Sequence, residues 1–228
     1  VIERIKPSIV AVGTFERLRS PQFSFAGTGF VVGDGRLVAT NDHVLPKLTD
    51  AERGEALVIA VRGPENTAQV RPARKVASDS GADLALLRFD GAPLPALRLG
   101  DAEGVREGET YLFTGFPIGA VLGLIPVTHR AMIAAITPIV IPAARADKLD
   151  ARAVRRLTAG TFPVFQLDGT AYPGNSGSPV YHAETGAVIG IVNSVFVKGT
   201  KESALTQPSG ITYAIPAQKL KDLLDRTR

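Results

Sequence analysis

A serine hydroxyl becomes a useful nucleophile only on a tight, exposed turn with a base in reach. One stretch of this chain is built for such a turn. Gly174-Asn175-Ser176-Gly177-Ser178-Pro179 sets Ser176 among small residues, and its glycines let the backbone bend sharply and bring N–H groups near a reacting carbonyl. Serine between glycines is also common in plain turns, so the motif calls for a partner base. The chain has three histidines. His43 ends the run Ala39-Thr40-Asn41-Asp42-His43, His129 lies in Val127-Thr128-His129-Arg130, and His182 follows Val180-Tyr181. Taken singly, each reads as a surface or hydrogen-bonding histidine.

The third requirement is a carboxylate that orients the imidazole and stabilises its protonated form. Asp83 precedes the apolar run Leu84-Ala85-Leu86-Leu87 and is expected to be partly buried and fixed in position. The plain alternative is an aspartate capping a strand start. Asp42 is the other candidate, but side chains of adjacent residues in a strand or turn diverge, which disfavours it as the partner of His43.

The elements that would carry these residues are short β-type runs punctuated by Gly, Pro and Asp. They are Ser8–Phe15, Phe23–Val32, Leu37–Thr40, Leu57–Val61, Gln69–Lys75, Leu84–Phe89, Tyr111–Gly115, Thr128–Ile141, Phe162–Leu167, Pro179–Tyr181, Ala187–Val197 and Gly210–Ile215. Their β-branched content and spacing predict an all-β sandwich or barrel, not alternating βαβ units. Gly33-Asp34-Gly35 reads as the turn of a hairpin. Ala217–Arg226 spaces Leu220, Leu223 and Leu224 as an amphipathic closing helix, and Asp147–Leu157 is a second helical candidate. No internal repeat of about 20 to 50 residues is legible. The Gly-, Pro- and Asp-rich stretch 90–104 reads as a connection between two β units.

Composition narrows the classes. The 228 residues contain no cysteine, which rules out disulfides, thiolate metal sites and a cysteine nucleophile. Tryptophan is also absent, so Val, Ile, Leu and Ala must fill the core. The formal charge of +4 is modest, and basic residues gather at 145–156 and 219–228 without interleaved aromatics. Nucleic-acid binding is therefore not expected. The longest apolar stretch, 131–144, is too short and too interrupted by proline to span a bilayer. No charged segment followed by an apolar leader core is present.

Four segments in register resemble the trypsin-like superfamily of serine proteases. They are Gly27-Thr28-Gly29-Phe30-Val31-Val32, Ala39-Thr40-Asn41-Asp42-His43-Val44, Ala82-Asp83-Leu84-Ala85-Leu86-Leu87 and Pro173-Gly174-Asn175-Ser176-Gly177-Ser178-Pro179. Within that superfamily the chain looks most like the bacterial HtrA/Deg branch. Residues 1–10 look like the branch's opening strand and Gly210–Pro216 like its final one, with a weak match only near 139–160. The order His, Asp, Ser is that of the chymotrypsin-type scaffold.

The resemblance implies two six-stranded antiparallel Greek-key β-barrels with a short C-terminal helix. Residues 1–100 would form the barrel carrying His43 and Asp83. Residues 101–228 would form the barrel carrying Ser176, with the closing helix at 217–226. It implies a serine endopeptidase that hydrolyses peptide bonds in unfolded or exposed polypeptides through an acyl-enzyme. His43, Asp83 and Ser176 would be the catalytic triad, and the N–H groups of Gly174 and Ser176 the oxyanion hole. The base of the pocket for the residue before the cut falls on Thr170, with walls from Asn193, Ser194, Val195 and Gly210. Without a carboxylate there, small or medium aliphatic residues are the expected preference.

No metal or organic cofactor is implied. The implied partner is a polypeptide substrate, with a homo-oligomer possible and membrane contact only through a segment absent from this sequence. An extracytoplasmic location, in a bacterial periplasm or cell envelope, follows from the same resemblance. Asn175 stands where zymogen-type trypsins carry an aspartate for the newly cut N-terminus, so activation by N-terminal insertion is not expected. The C-terminal PDZ domain usual in the branch is not in this sequence, which is expected to be a protease domain alone or a protein without that module. The segment 139–160 falls at the place of the branch's regulatory loop and is expected either to gate the active site or to be a surface insertion. The rival reading is a protease-like chaperone or scaffold that binds polypeptide with little or no cleavage. A second rival keeps the fold but acts on esters or on one dedicated protein.

Overall fold

The computed structural model describes residues 1–46, 54–63, 67–119, 124–138, 162–193 and 210–227. Twelve strands dominate the described residues. The first six are β1 Ile9–Phe15, β2 Phe23–Val32, β3 Leu37–Thr40, β4 Ala56–Arg62, β5 Ala68–Asp79 and β6 Leu84–Phe89. The second six are β7 Thr110–Gly115, β8 Val127–Pro138, β9 Pro163–Asp168, β10 Pro179–Tyr181, β11 Val188–Asn193 and β12 Ile211–Pro216. Each expected run overlaps one of them, with ends that differ by a few residues. The parts of two runs that extend past Pro138 and Asn193, and the helix expected at 147–157, lie outside the described residues.

Both sets close into antiparallel barrels with one strand order. The first runs β1-β2-β3-β6-β5-β4 and closes through Ala11 opposite Ala60. The second, taken from β7, runs β7-β8-β9-β12-β11-β10 and closes through Val180 opposite Phe113. Closure pairs every strand on both sides and leaves no sheet edge exposed. The repetition is invisible in the sequence because strand order depends on pairing partners, not on residue identity. The β2–β3 hairpin forms as expected, with Gly33 and Gly35 at φ +62 and +81.

The start of the chain differs from expectation. Residues 1–10 are not one strand: Ile2–Ile5 form a helical turn, α1, and β1 begins only at Ile9. The Val1 carbonyl accepts from the N–H groups of Arg4 and Ile5, and Pro7, with no N–H to give a ladder, sits in a 3-10 turn that leads into the strand. Ile5 is thereby buried.

The connection between the barrels is tied at both ends. Leu94 and Leu97 donate to the carbonyls of Gly35 and Val31 in the first barrel. Gly100 donates to the carbonyl of Val188 in the second, and the Val188 N–H returns to Arg98. One apolar core joins Ile9, Phe30 and Leu86 of the first barrel to Tyr181, Ile191 and Ile215 of the second. The closing helix α2, Ala217–Asp225, buries Leu220 and Leu223 in it. Its end is pinned by Arg226, whose guanidinium lies 2.8 Å from Asp79 at the end of β5.

Candidate active site

Two turns of the first barrel build half of the cleft. β3 ends at Thr40, and the short 3-10 turn Asp42–Val44 buries Val44 while turning His43 into the cleft. The β5–β6 turn ends on Asp83, which is 3% exposed and holds a left-handed φ of +56 that aspartate tolerates better than most residues. Five hydrogen bonds from the described residues hold it there. Its carbonyl accepts from the Asp42 N–H at 3.2 Å and from Asn41 Nδ2 at 3.1 Å. Its carboxylate accepts the His43 N–H on Oδ1 at 2.9 Å, His43 Nδ1 on Oδ2 at 2.6 Å and Asn193 Nδ2 on Oδ2 at 2.7 Å.

Ser176 comes from the second barrel, on the loop between β9 and β10, with its Oγ 3.0 Å from His43 Nε2. A carboxylate can only accept, so His43 carries its proton on Nδ1, and Nε2 is left to accept from the Ser176 hydroxyl. The three side chains thus form one continuous hydrogen-bonded chain across the cleft. Asp42 takes no part in it: its carboxylate accepts from Ser80 Oγ at 3.3 Å and lies 4.0 Å from Lys75 Nζ. His129 stacks on Phe113, with ring centroids 4.8 Å apart, and burial lowers its pKa from the ordinary value. His182 packs edge-on against Tyr111, and its Nδ1 accepts from the Glu184 N–H at 3.3 Å.

The glycines around Ser176 do what their type allows. Gly174 lies at φ +101, where a Cβ would collide with the Phe116 carbonyl. Gly177 lies at φ +88, where a Cβ would strike the carbonyl of Thr28. The Pro173 carbonyl accepts from the Ile118 N–H at 2.7 Å. In a trans peptide the C=O and N–H point in opposite directions, so the Gly174 N–H is turned away from Ile118.

The residues assigned to the substrate pocket divide. Thr170 and Gly210 are brought to one corner, where the Gly169 N–H donates to the Gly210 carbonyl and Thr212 Oγ1 bridges the Gly169 carbonyl and the Ala171 N–H. Asn193 is fully buried, with its carboxamide on Asp83. Ser194 and Val195 lie outside the described residues, as does the segment 139–160. Sequence reasoning named Asn193 as a pocket wall and Thr28 within a motif, but missed the contact each makes. Asn193 meets Asp83 across 110 residues with no local motif to announce the contact. Thr28 belongs to a legible motif, yet nothing in that motif says that its hydroxyl meets Gly174, 146 residues away.

Two closed six-stranded barrels with a Ser–His–Asp chain in the cleft between them define a chymotrypsin-type peptidase architecture. Residues 27–191 match the model of the trypsin-like peptidase domain family, and the chain belongs to that family. Within it, the chain is similar to HtrA-type serine proteases. It is 28% identical over 211 residues to a probable periplasmic serine endoprotease, DegP-like, of Marinomonas sp., covering 91% of this chain and 36% of that protein. It is 28% identical to serine protease HTR4 of Bos taurus, covering 98% of this chain and 40% of that protein. The chain therefore spans well under half the length of these relatives. Among solved structures, the HtrA-type protease AlgW with a tripeptide matches 98% of this chain and 61% of its own, with a TM-score of 0.67 and 25% identity.

Proposed function

We propose that this domain cleaves peptide bonds in unfolded or exposed polypeptides, with Ser176 as nucleophile, His43 as general base and then general acid, and Asp83 as the group that orients His43. The reading rests on one observation, the unbroken chain Asp83 Oδ2–His43 Nδ1 at 2.6 Å and His43 Nε2–Ser176 Oγ at 3.0 Å. As Ser176 Oγ bonds to the scissile carbonyl carbon, its proton passes to Nε2. The imidazolium so formed faces the Asp83 carboxylate, which stabilises it without taking the proton. The carbonyl oxygen gains charge and is met by the N–H groups of Gly174 and Ser176. The proton on Nε2 goes to the leaving amine as the C–N bond breaks. Water then enters, gives a proton to His43 Nε2 and bonds to the acyl carbon; that proton passes to Ser176 Oγ as the ester bond breaks, which frees the acid and restores the resting site.

Thr170 brings no carboxylate to the substrate pocket, so small or medium aliphatic residues before the cut are favoured over Lys and Arg. Location outside the cytoplasm follows from the relatives named periplasmic endoproteases. A polypeptide substrate agrees with the peptide in the AlgW structure.

The test is casein cleavage by the wild type beside Ser176→Ala, with fluorophosphonate labelling of Ser176 as a second readout. Cleavage and labelling that both vanish in Ser176→Ala are expected. Wild-type protein that binds unfolded polypeptide but neither cuts it nor takes the label would replace this reading with a binding module. A peptide-library profile dominated by Arg, Lys or Glu before the cut would overturn the pocket assignment alone.

A further inference from the structure

We propose that the Thr28 hydroxyl, contributed by the first barrel, is a positioning residue for the reaction of the second. It holds Gly174 in the conformation in which its N–H meets the oxyanion. The proposal rests on the peptidase reading above. Thr28 lies on β2, is fully buried, and meets the nucleophile segment with more than one group. Its Oγ1 donates to the Gly174 carbonyl at 2.7 Å and accepts from the Phe116 N–H at 3.0 Å. The carbonyl can only accept and the N–H only donate, so the hydroxyl has one orientation. The backbone N–H of Thr28 donates to the Ser176 carbonyl at 2.9 Å, and its carbonyl accepts from Thr40 Oγ1 at 2.7 Å.

The conformation of Gly174 is set by the peptide planes on either side of its Cα. The plane before it is held where the Ile118 N–H meets the Pro173 carbonyl at 2.7 Å. The plane after it is held by Thr28 Oγ1 on the Gly174 carbonyl, and by the Asn175 N–H on the Tyr172 carbonyl at 3.0 Å. Glycine opposes rotation into other basins less than any other residue, so the hold must come from outside. The Ile118 N–H depends on the same hydroxyl. Ile118 is a β-branched residue at φ +49, a strained position, and the turn that carries it is anchored where the Phe116 N–H meets Thr28 Oγ1. A single oxygen therefore steadies both planes, one directly and one through the turn 116–119. Without it, the buried Phe116 N–H and the half-buried Gly174 carbonyl lose their bond, and the Gly174 N–H is free to turn from the reacting carbonyl.

The full chain carrying Thr28→Val, which keeps the shape but not the hydroxyl, is compared with Thr28→Ser, which keeps the hydroxyl. Losing an oxyanion donor outright costs about a hundred- to a thousandfold in turnover. Loosening it in Thr28→Val is expected to lower kcat by about thirtyfold or more, with KM changed less than about threefold. The acid limb of the pH profile should stay in place, because His43 and Asp83 are untouched, and hydrogen exchange across 172–177 should quicken. Thr28→Ser should return kcat to within about threefold of wild type. A Thr28→Val enzyme that keeps its kcat, a loss confined to KM, or a Thr28→Ser enzyme as poor as Thr28→Val would each overturn the proposal. If Thr28→Val does not fold, Thr28→Ala takes its place with the same readouts. Should wild type cut nothing at all, the peptidase reading falls, and exchange across 172–177 alone decides the clamp: faster exchange supports it and unchanged exchange overturns it.

Discussion

The two halves of the cleft are held in different ways. On the acid–base side, Asp83 collects five hydrogen bonds from the described residues, namely Asn41, Asp42, Asn193 and both the backbone and ring of His43. On the nucleophile side, single bonds from Thr28 and Ile118 set the carbonyls of Gly174 and Pro173. Beside them the Asn175 carboxamide and Ser178 Oγ are buried with no partner among the described residues. A buried polar group without a partner costs roughly 1–3 kcal/mol. The acid–base half is thus over-determined and should absorb the loss of one donor, whereas the nucleophile half takes its inter-barrel support from the bonds of one residue, Thr28.

The harshest test removes each half's central group. His43→Ala and Ser176→Ala should each lower kcat by about a millionfold, because residues that act as one unit fail together. Loss in one variant and not the other, in a peptide-cleavage assay, would break the unit apart. A milder test probes redundancy. Asn193→Ala deletes one of the three donors that the described residues bring to the Asp83 carboxylate, and should cost no more than about tenfold in kcat, less than Thr28→Val. An Asn193→Ala loss larger than that of Thr28→Val would invert the comparison.

The smallest effect concerns the pair that ties α2 to the turn carrying Asp83. Burial works against ionisation of Asp79, yet the Arg226 guanidinium and the Ala82 N–H outweigh it and hold its carboxyl below the usual value. The folded-state pKa is depressed, so the stabilisation is fully present above the ordinary aspartate value of about 4 and is lost as pH falls through the depressed one. Arg226 is largely exposed, which limits the pair to under about 1 kcal/mol. Asp79→Asn should lower Tm by about 2 °C near neutral pH. That gap should narrow in acid melts from about pH 4 downward and close once pH has fallen through the depressed value. A gap that persists there would assign the effect to the Ala82 N–H contact, not to charge.

Much of this molecule follows from local pattern. β-Branched runs set between Gly, Pro and Asp mark the strands, because barrel walls favour such residues and the turns between them need the others. The glycines at 174 and 177 mark a turn whose backbone other residues resist. The four segments around Thr28, His43, Asp83 and Ser176 could be found because each is a short string. The N-terminal segment misled, since an apolar run containing Pro7 reads as a strand until the backbone of residues 1–5 is seen to satisfy itself.

By itself, the sequence determined where strands begin and turn, that no thiol chemistry is open to this chain, and which serine, histidine and aspartate could act together. Only the tertiary structure decided that two barrels share one strand order, that the Asn193 carboxamide meets Asp83, and that a threonine of one barrel steadies the glycine of the other. The reason is physical. Propensity and periodicity act between neighbours along the chain, while a hydrogen bond between residues more than a hundred positions apart exists only once both barrels have closed.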